Sequence, residues 1–305
     1  MRNKRDIAAA CSDAAVREAE RRHADEIESI ARRIEAEASA ARVVLIGGPS
    51  SAGKTTFAKR LTFHLNRNGI GTLVVSTDDY FVGDERNPRD AEGKLDYEHL
   101  HAMDIEKLNA DLVDLVAGRP VMMPRFDFTR HAPAAEGHEE RLPDGAVIVI
   151  EGLHSLNPAL TPSIPLDEKF LVLADTISSP FNDLEGAEPG DGRLIRRIIR
   201  DGKYRGRSAA DTIALWPSVC AGERRWIRPF EGNAEFVFDT TLPYEPSVLR
   251  RYATPLLKAI GADSPALPAA RRLLGLLSTF EERGDDGIPG FSILREYIGG
   301  SIIQY

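Results

Sequence analysis

The stretch VVLIGGPSSAGKTTFAKRL, Val43 to Leu61, constrains this chain more than any other. An apolar run suited to a buried strand enters a Gly- and Ser-rich turn, and a helical pattern follows. The spacing Gly48-x-x-x-x-Gly53-Lys54-Thr55 matches GxxxxGK[ST], the phosphate-binding loop. Glycines let successive backbone N–H groups turn inward as an anion-binding nest, and the next helix adds partial positive charge at its N-terminus. The candidate nucleotide-binding residues are therefore Gly48, Ser50, Ser51, Ala52, Gly53, Lys54, Thr55 and Thr56. Lys54 is expected to reach the β- and γ-phosphates of ATP, and the Thr55 hydroxyl to ligate Mg2+. The loop alone leaves open whether the phosphate is transferred, hydrolysed or sensed.

Around the loop, apolar runs alternate with helical patterns. The strands RVVLIGG, GTLVVST, GAVIVIEG, KFLVLAD and AEFVFDT are separated by helices over Thr55 to about Asn66, Asp104 to Ala117, and an arginine-rich segment. Near-continuous apolar strands of this kind imply a parallel sheet covered on both faces, with ligands beyond the carboxyl ends of its strands. Lys54, Asp78, Asp79 and Glu151 fall at those ends. The expected fold is α/β: a phosphate-loop, doubly wound, five-stranded parallel sheet. An aromatic β-hairpin insertion is expected at about 120–143, with Phe126 and Phe128 on one face, and a helical lid at about 193–230. This domain, 42–260, is flanked by an N-terminal helical extension, 1–41, and a C-terminal helical extension, 261–305. The N-terminal helix, Asp13 to Ala41, carries a narrow stripe of Ile27, Ile30 and Ile34, expected to pack on the next domain or on a second subunit of a homo-oligomer.

Composition narrows the partners. With 42% hydrophobic and 28% charged residues, 305 residues suffice for one or two ordinary soluble domains. No apolar stretch approaches the ~18 residues of a membrane span, and the charged N-terminus does not read as a secretory leader. Cys11 and Cys220 lie far apart and form no metal-spacing motif, so a reducing cytoplasm is expected. A net charge of −8 argues against a nucleic-acid partner. One segment reverses that sign: RLIRRIIRDGKYRGR carries seven cations against the lone Asp201.

Further signals separate phosphotransfer from switching. The guanine-specifying NKxD does not occur after the phosphate loop, its one match being NKRD at Asn3 to Asp6, and DLEG at Asp183 to Gly186 does not follow a strand. A carboxylate in STDDYF can accept a proton from an acceptor hydroxyl, and Asp78 is favoured for that role over capping the turn, whereas Asp79 fits either. In the arginine helix, Ile195, Ile198 and Ile199 form a packing face. The i, i+4 pairs Arg193/Arg197 and Arg196/Arg200 are expected to line the remaining surface. With Gly206 as a hinge, such a lid would close cations over phosphates.

From Arg42 to Tyr244 the chain resembles the uridine kinase and phosphoribulokinase group of phosphate-loop kinases. STDDYF resembles their S-x-D-S-F-Y, KLDYEH their F-D-H-P, and PRFDFTRH their P-x-Y-D-F-x-x-H. VIVIEGLH is similar to V-x-x-x-E-G, and the arginine segment to R-L-x-R-R-x-x-R-D-x-x-x-R-G-R. The resemblance implies an ATP- and Mg2+-dependent kinase with a small-molecule acceptor, a nucleoside such as uridine or cytidine. It implies Asp78 as general base on the 5′-hydroxyl, Asp96 on the ribose hydroxyls, and Phe81, Phe126 and His131 at the base. Glu151 would help to hold Mg2+, Arg197 and Arg207 would approach the nucleoside, and Arg200 and Arg205 the phosphates. Phe126 replaces a tyrosine, Asp79 a serine, and Ala132-Pro133 a serine-arginine pair, all on the acceptor side. WPSV at Trp216 to Val219 and SILREYIGG at Ser292 to Gly300 also resemble bacterial nucleoside kinases with leading TGS domains. Alternatives are a kinase of another sugar-like or polyol acceptor, a nucleotide-binding regulator, and an RNA-associated NTPase.

Overall fold

The computed structural model describes residues 11–37, 42–128 and 130–304. Helix α1 spans Asp13–Glu37, and its expected continuation to Ala41 lies outside the described residues. Strand β1, Val43–Gly47, passes through the phosphate loop into α2, Lys54–Arg67. Strand β2, Thr72–Ser76, ends in a 3-10 turn at Thr77–Tyr80. After α3, Ile105–Val116, come four short strands: β3 Val121–Met123, β4 Phe126–Asp127, β5 Ala132–Pro133 and β6 His138–Glu140. Strands β7, Val147–Glu151, and β8, Lys169–Asp175, return to the main sheet. Helices α4, Asp191–Tyr204, and α5, Ala209–Trp226, precede β9, Phe236–Asp239. Helices α6, Glu245–Lys258, and α7, Leu267–Ser278, follow, and α8 is the single turn Arg295–Ile298.

The main sheet is parallel throughout, in the order β2-β7-β1-β8-β9. Period-two burial shows why these apolar runs are strands. Val44 and Ile46 of β1 pack with α2 and the helices beyond it, whereas Val43 and Leu45 face α3. The register sets Glu151 beside Ser76 on one side and Ile46 on the other, so three strand ends converge at the phosphate loop. The hairpin insertion is nested, β3 pairing with β6 and β4 with β5 farther out.

The stripe of α1 is spent within the chain. Ile27, Ile30 and Ile34 are buried in the core shared with α2. Beside them, the His23 ring donates a hydrogen bond to the Thr241 carbonyl at 3.1 Å, and the Tyr244 hydroxyl donates to Glu20 at 2.5 Å. The stretch 261–304 is less helical than its composition suggests. Beyond α7 only α8 is α-helical, and the chain otherwise returns irregularly to the phosphate loop. No described helix is long and apolar enough to cross a membrane.

The arginine helix α4 corrects the expectation of a cationic outer surface, because α5, α6 and the C-terminal segment enclose it. Arg196 is fully buried, with Nε 2.6 Å and Nη2 2.5 Å from the Glu245 carboxylate and a further bond to Thr240. Arg193 is equally turned inward, paired with Glu223 of α5 at 2.6 and 2.9 Å. Breaking a buried pair strands a charge. Arg196→Met is therefore expected to cost about 3–5 kcal/mol in urea unfolding, and the double change with Glu245→Leu less than the single one.

Candidate active site

A cavity of about 580 Å³ opens at the carboxyl ends of β1, β2 and β7. The phosphate loop forms one side. Gly48 turns at φ 149°, and a Cβ there would stand 2.0 Å from the Ala174 carbonyl oxygen, so only glycine passes. Gly53 turns at φ 87° directly before α2. Lys54 Nζ donates to the Pro49 carbonyl at 2.9 Å across the loop. Ser50, Ser51, Gly53, Lys54 and Thr55 line the cavity, while Gly48, Ala52 and Thr56 do not. Thr56 is instead covered by Glu296 from the C-terminal segment.

Asp78 and Glu151 also line this cavity, within electrostatic reach of Lys54. Burial pushes the Glu151 carboxyl up to about 7, helped by the charge of Asp78 and opposed by Lys54 and by the Ser76 hydroxyl, which donates to it at 2.7 Å. Burial likewise lowers the Lys54 ammonium from its ordinary value against the pull of Glu151 and Asp78. Asp79 behaves differently. It does not line the cavity, and its carboxylate accepts the Phe126 N–H at 3.2 Å, which ties the hairpin to the turn.

Arg197, Arg200, Arg205 and Arg207 all line the cavity, gathered around the fully buried Asp201. Their nitrogens stand 3.4, 3.1, 3.9 and 3.8 Å from its oxygens. One carboxylate cannot neutralise four guanidiniums, so the group presents excess positive charge. The repulsion is visible at Arg205, pulled down to about 10 by the neighbouring Arg200 and by burial. Arg197 also donates to the Ser50 hydroxyl at 2.5 Å, joining α4 to the phosphate loop.

The far end is aromatic. Phe81, Phe126 and Phe128 line it with ring centroids 5.1 to 6.4 Å apart, and the Arg205 guanidinium lies 5.0 Å from the Phe128 ring. His131 joins them, its Nδ1 3.4 Å from the Tyr97 hydroxyl, which itself donates to Asp84 at 2.5 Å.

Asp96 is the expected acceptor-side residue that the structure places elsewhere. It does not line the cavity; its carboxylate accepts the Glu98 N–H at 3.1 Å and so caps the local turn. Tyr97 and Glu98 line the cavity instead. Glu98 is 7% exposed, its Oε2 has no hydrogen-bond partner, and burial pushes its carboxyl up to about 7 against the charge of Arg197. A Cβ on Gly222 of α5 would lie 2.2 Å from the Glu98 Cβ, so glycine makes the room. The sequence held the signal: Tyr97-Glu98-His99 keeps the aromatic, acid, histidine order of F-D-H-P, two residues beyond the alignment centred on Asp96. The tail segment SILREYIGG contained Glu296 and Gly300 but did not point to the cavity, which they line together with Ser301 and Ile303.

A strand, a glycine-bounded loop and a helix whose N-terminus meets the cavity define a phosphate-loop α/β protein. Within that class the chain belongs to the phosphoribulokinase and uridine kinase family. Residues 43–161 match the model of the Phosphoribulokinase / Uridine kinase family. The chain is 31% identical over 226 residues to a uridine kinase of Deinococcus deserti, covering 74% of this chain and 91% of that one. A uridine kinase of Ligilactobacillus salivarius is 33% identical over 198 residues, covering 64% and 84% respectively. The solved "Structure of a Possible Uridine Kinase from Bacillus stearothermophilus" is 24% identical, covers 70% of this chain and 98% of that one, and superposes with a TM-score of 0.47.

Proposed function

We propose that the protein transfers the terminal phosphoryl group of ATP to a hydroxyl of a nucleoside, with uridine and cytidine as the first candidates. One observation carries this reading: Asp78 shares a single cavity with Lys54, four guanidiniums, three aromatic rings and His131. A carboxylate there can take the proton of the attacking hydroxyl, while the cations neutralise charge on the transferred group. A nucleotide sensor needs neither a base nor an acceptor pocket.

The polar groups around the loop fit a hard divalent cation. The Thr55 hydroxyl and the Glu151 carboxylate are oxygen donors on the cavity wall. Among the described residues no cluster of three or more His, Cys, Asp or Glu forms a closed cage. That suits Mg2+ held by one or two protein oxygens, water and the donor's phosphates, where it would offset charge between the phosphates. Glu98 takes the part expected of Asp96, its unpartnered Oε2 receiving a ribose hydroxyl, with Arg197 and Arg207 alongside. Phe81 and Phe126 would hold the base, and His131 would hydrogen-bond its edge.

An ADP-release screen over nucleosides, sugars and polyols tests the acceptor. Phe126 offers the pyrimidine no hydroxyl, and a buried unpaired polar group costs roughly 1–3 kcal/mol. Discrimination among pyrimidine nucleosides is therefore expected to be weak, and Phe126→Tyr to raise uridine turnover. If uridine and cytidine are inert with both proteins while a sugar or polyol releases ADP, the acceptor is not a nucleoside.

A further inference from the structure

The C-terminal segment places a carboxylate in the anion-binding loop. Glu296 Oε2 accepts the Thr56 hydroxyl at 2.6 Å and stands 3.4 Å from the Thr56 N–H. That amide belongs to the first turn of α2, among the backbone donors with which such a loop cradles the α- and β-phosphates. Glu296 also adds to the negative charge felt by Lys54 and Arg200, two of the cations that line the cavity. The backbone that carries it is anchored. Tyr297 is fully buried and its hydroxyl donates to the Ser51 carbonyl at 3.0 Å, while Ile293 packs beside Gly53. The Glu296 side chain is only partly buried and lines the cavity, which makes it the movable part.

We propose that Glu296 is an internal competitor for the donor nucleotide, its carboxylate occupying the Thr56 position that a donor phosphate must take. The inference rests on the nucleotide-binding reading of the loop and adds a regulatory element to it. A phosphate and a carboxylate cannot share one amide and one hydroxyl, and their charges repel. Donor binding therefore requires the side chain to swing away, while α8 stays in place. Without a donor, the Glu296 carboxylate satisfies the Thr56 hydroxyl and offsets part of the positive charge of Lys54 and Arg200. Glu296 thus sets an upper bound on donor affinity and a lower bound on the stability of the free protein.

Glu296→Gln keeps the shape and removes the charge. Binding of ATP, GTP and ADP to wild type and variant is measured by calorimetry with Mg2+ present, together with thermal midpoints with and without nucleotide. The variant is expected to bind its donor about ten-fold more tightly, in the range of ordinary site coupling, and to melt lower than wild type when free. A residue that merely props the loop would lower stability and affinity together. Unchanged or weaker donor binding by Glu296→Gln, with wild type binding normally, overturns the competition alone. Failure of wild type and variant alike to bind any of the three nucleotides overturns the nucleotide reading, and the competition with it.

Discussion

Lys54→Ala is expected to abolish phosphoryl transfer in a protein that still folds. The ammonium lies in the wall of the cavity beside Glu151 and Asp78, held by the Pro49 carbonyl. Its charge is in place before reaction begins, so stabilising the transferring group costs no reorganisation. Losing one such preorganised donor lowers kcat by roughly 10²–10³-fold. The fold survives because other bonds hold the loop: Tyr297 to the Ser51 carbonyl at 3.0 Å, and Arg193 to the Ser50 carbonyl at 3.1 Å. Lys54→Arg is not expected to restore activity, since a planar guanidinium cannot occupy the space of a compact ammonium at the end of a narrow loop. Acceptor-dependent ADP release and far-UV circular dichroism are the two measurements. Turnover of the alanine variant above about a tenth of wild type would remove Lys54 from the transfer step.

The sheet was readable because its strands are short and apolar, and the three central ones, β1, β7 and β8, are buried on both faces, so these runs stand out without any long-range information. The phosphate loop was readable because its glycines answer to backbone geometry, which Gly48 displays against the Ala174 carbonyl. The arginine helix was readable as cationic but not as to which cations face the cavity. Arg193 and Arg196 turn inward towards Glu223 and Glu245, partners 30 and 49 residues further along, and helical spacing alone cannot reveal such partners. Asp96 and Glu98 illustrate a different limit. Both are acids in a polar connection; the order Tyr97-Glu98-His99 sets the second apart, and the absence of a side chain at Gly222 leaves room for it. Glu296 meets Thr56 across 240 residues, a contact that no pattern within either segment encodes.

Asp78→Asn is the second large loss expected, and its neighbour supplies the control. Asparagine keeps the size and the hydrogen-bonding oxygen but cannot accept a proton from the attacking hydroxyl. General-base catalysis is worth about 10²–10⁴-fold, so kcat should fall by that much. Donor affinity should change little, since the loop and the arginines are untouched. Asp79→Asn tests whether position or mere acidity matters. The work of Asp79 is to accept the Phe126 N–H at 3.2 Å, and an asparagine oxygen accepts the same bond. Its effect should therefore be mild, and confined to the acceptor's KM through the placement of Phe126 in the aromatic end. ADP release measured over a range of acceptor concentrations separates the two quantities. If Asp79→Asn removed kcat and Asp78→Asn did not, the base would be Asp79. The turn from Thr77 to Tyr80 would then have to rotate in the working enzyme, since here it points only Asp78 into the cavity.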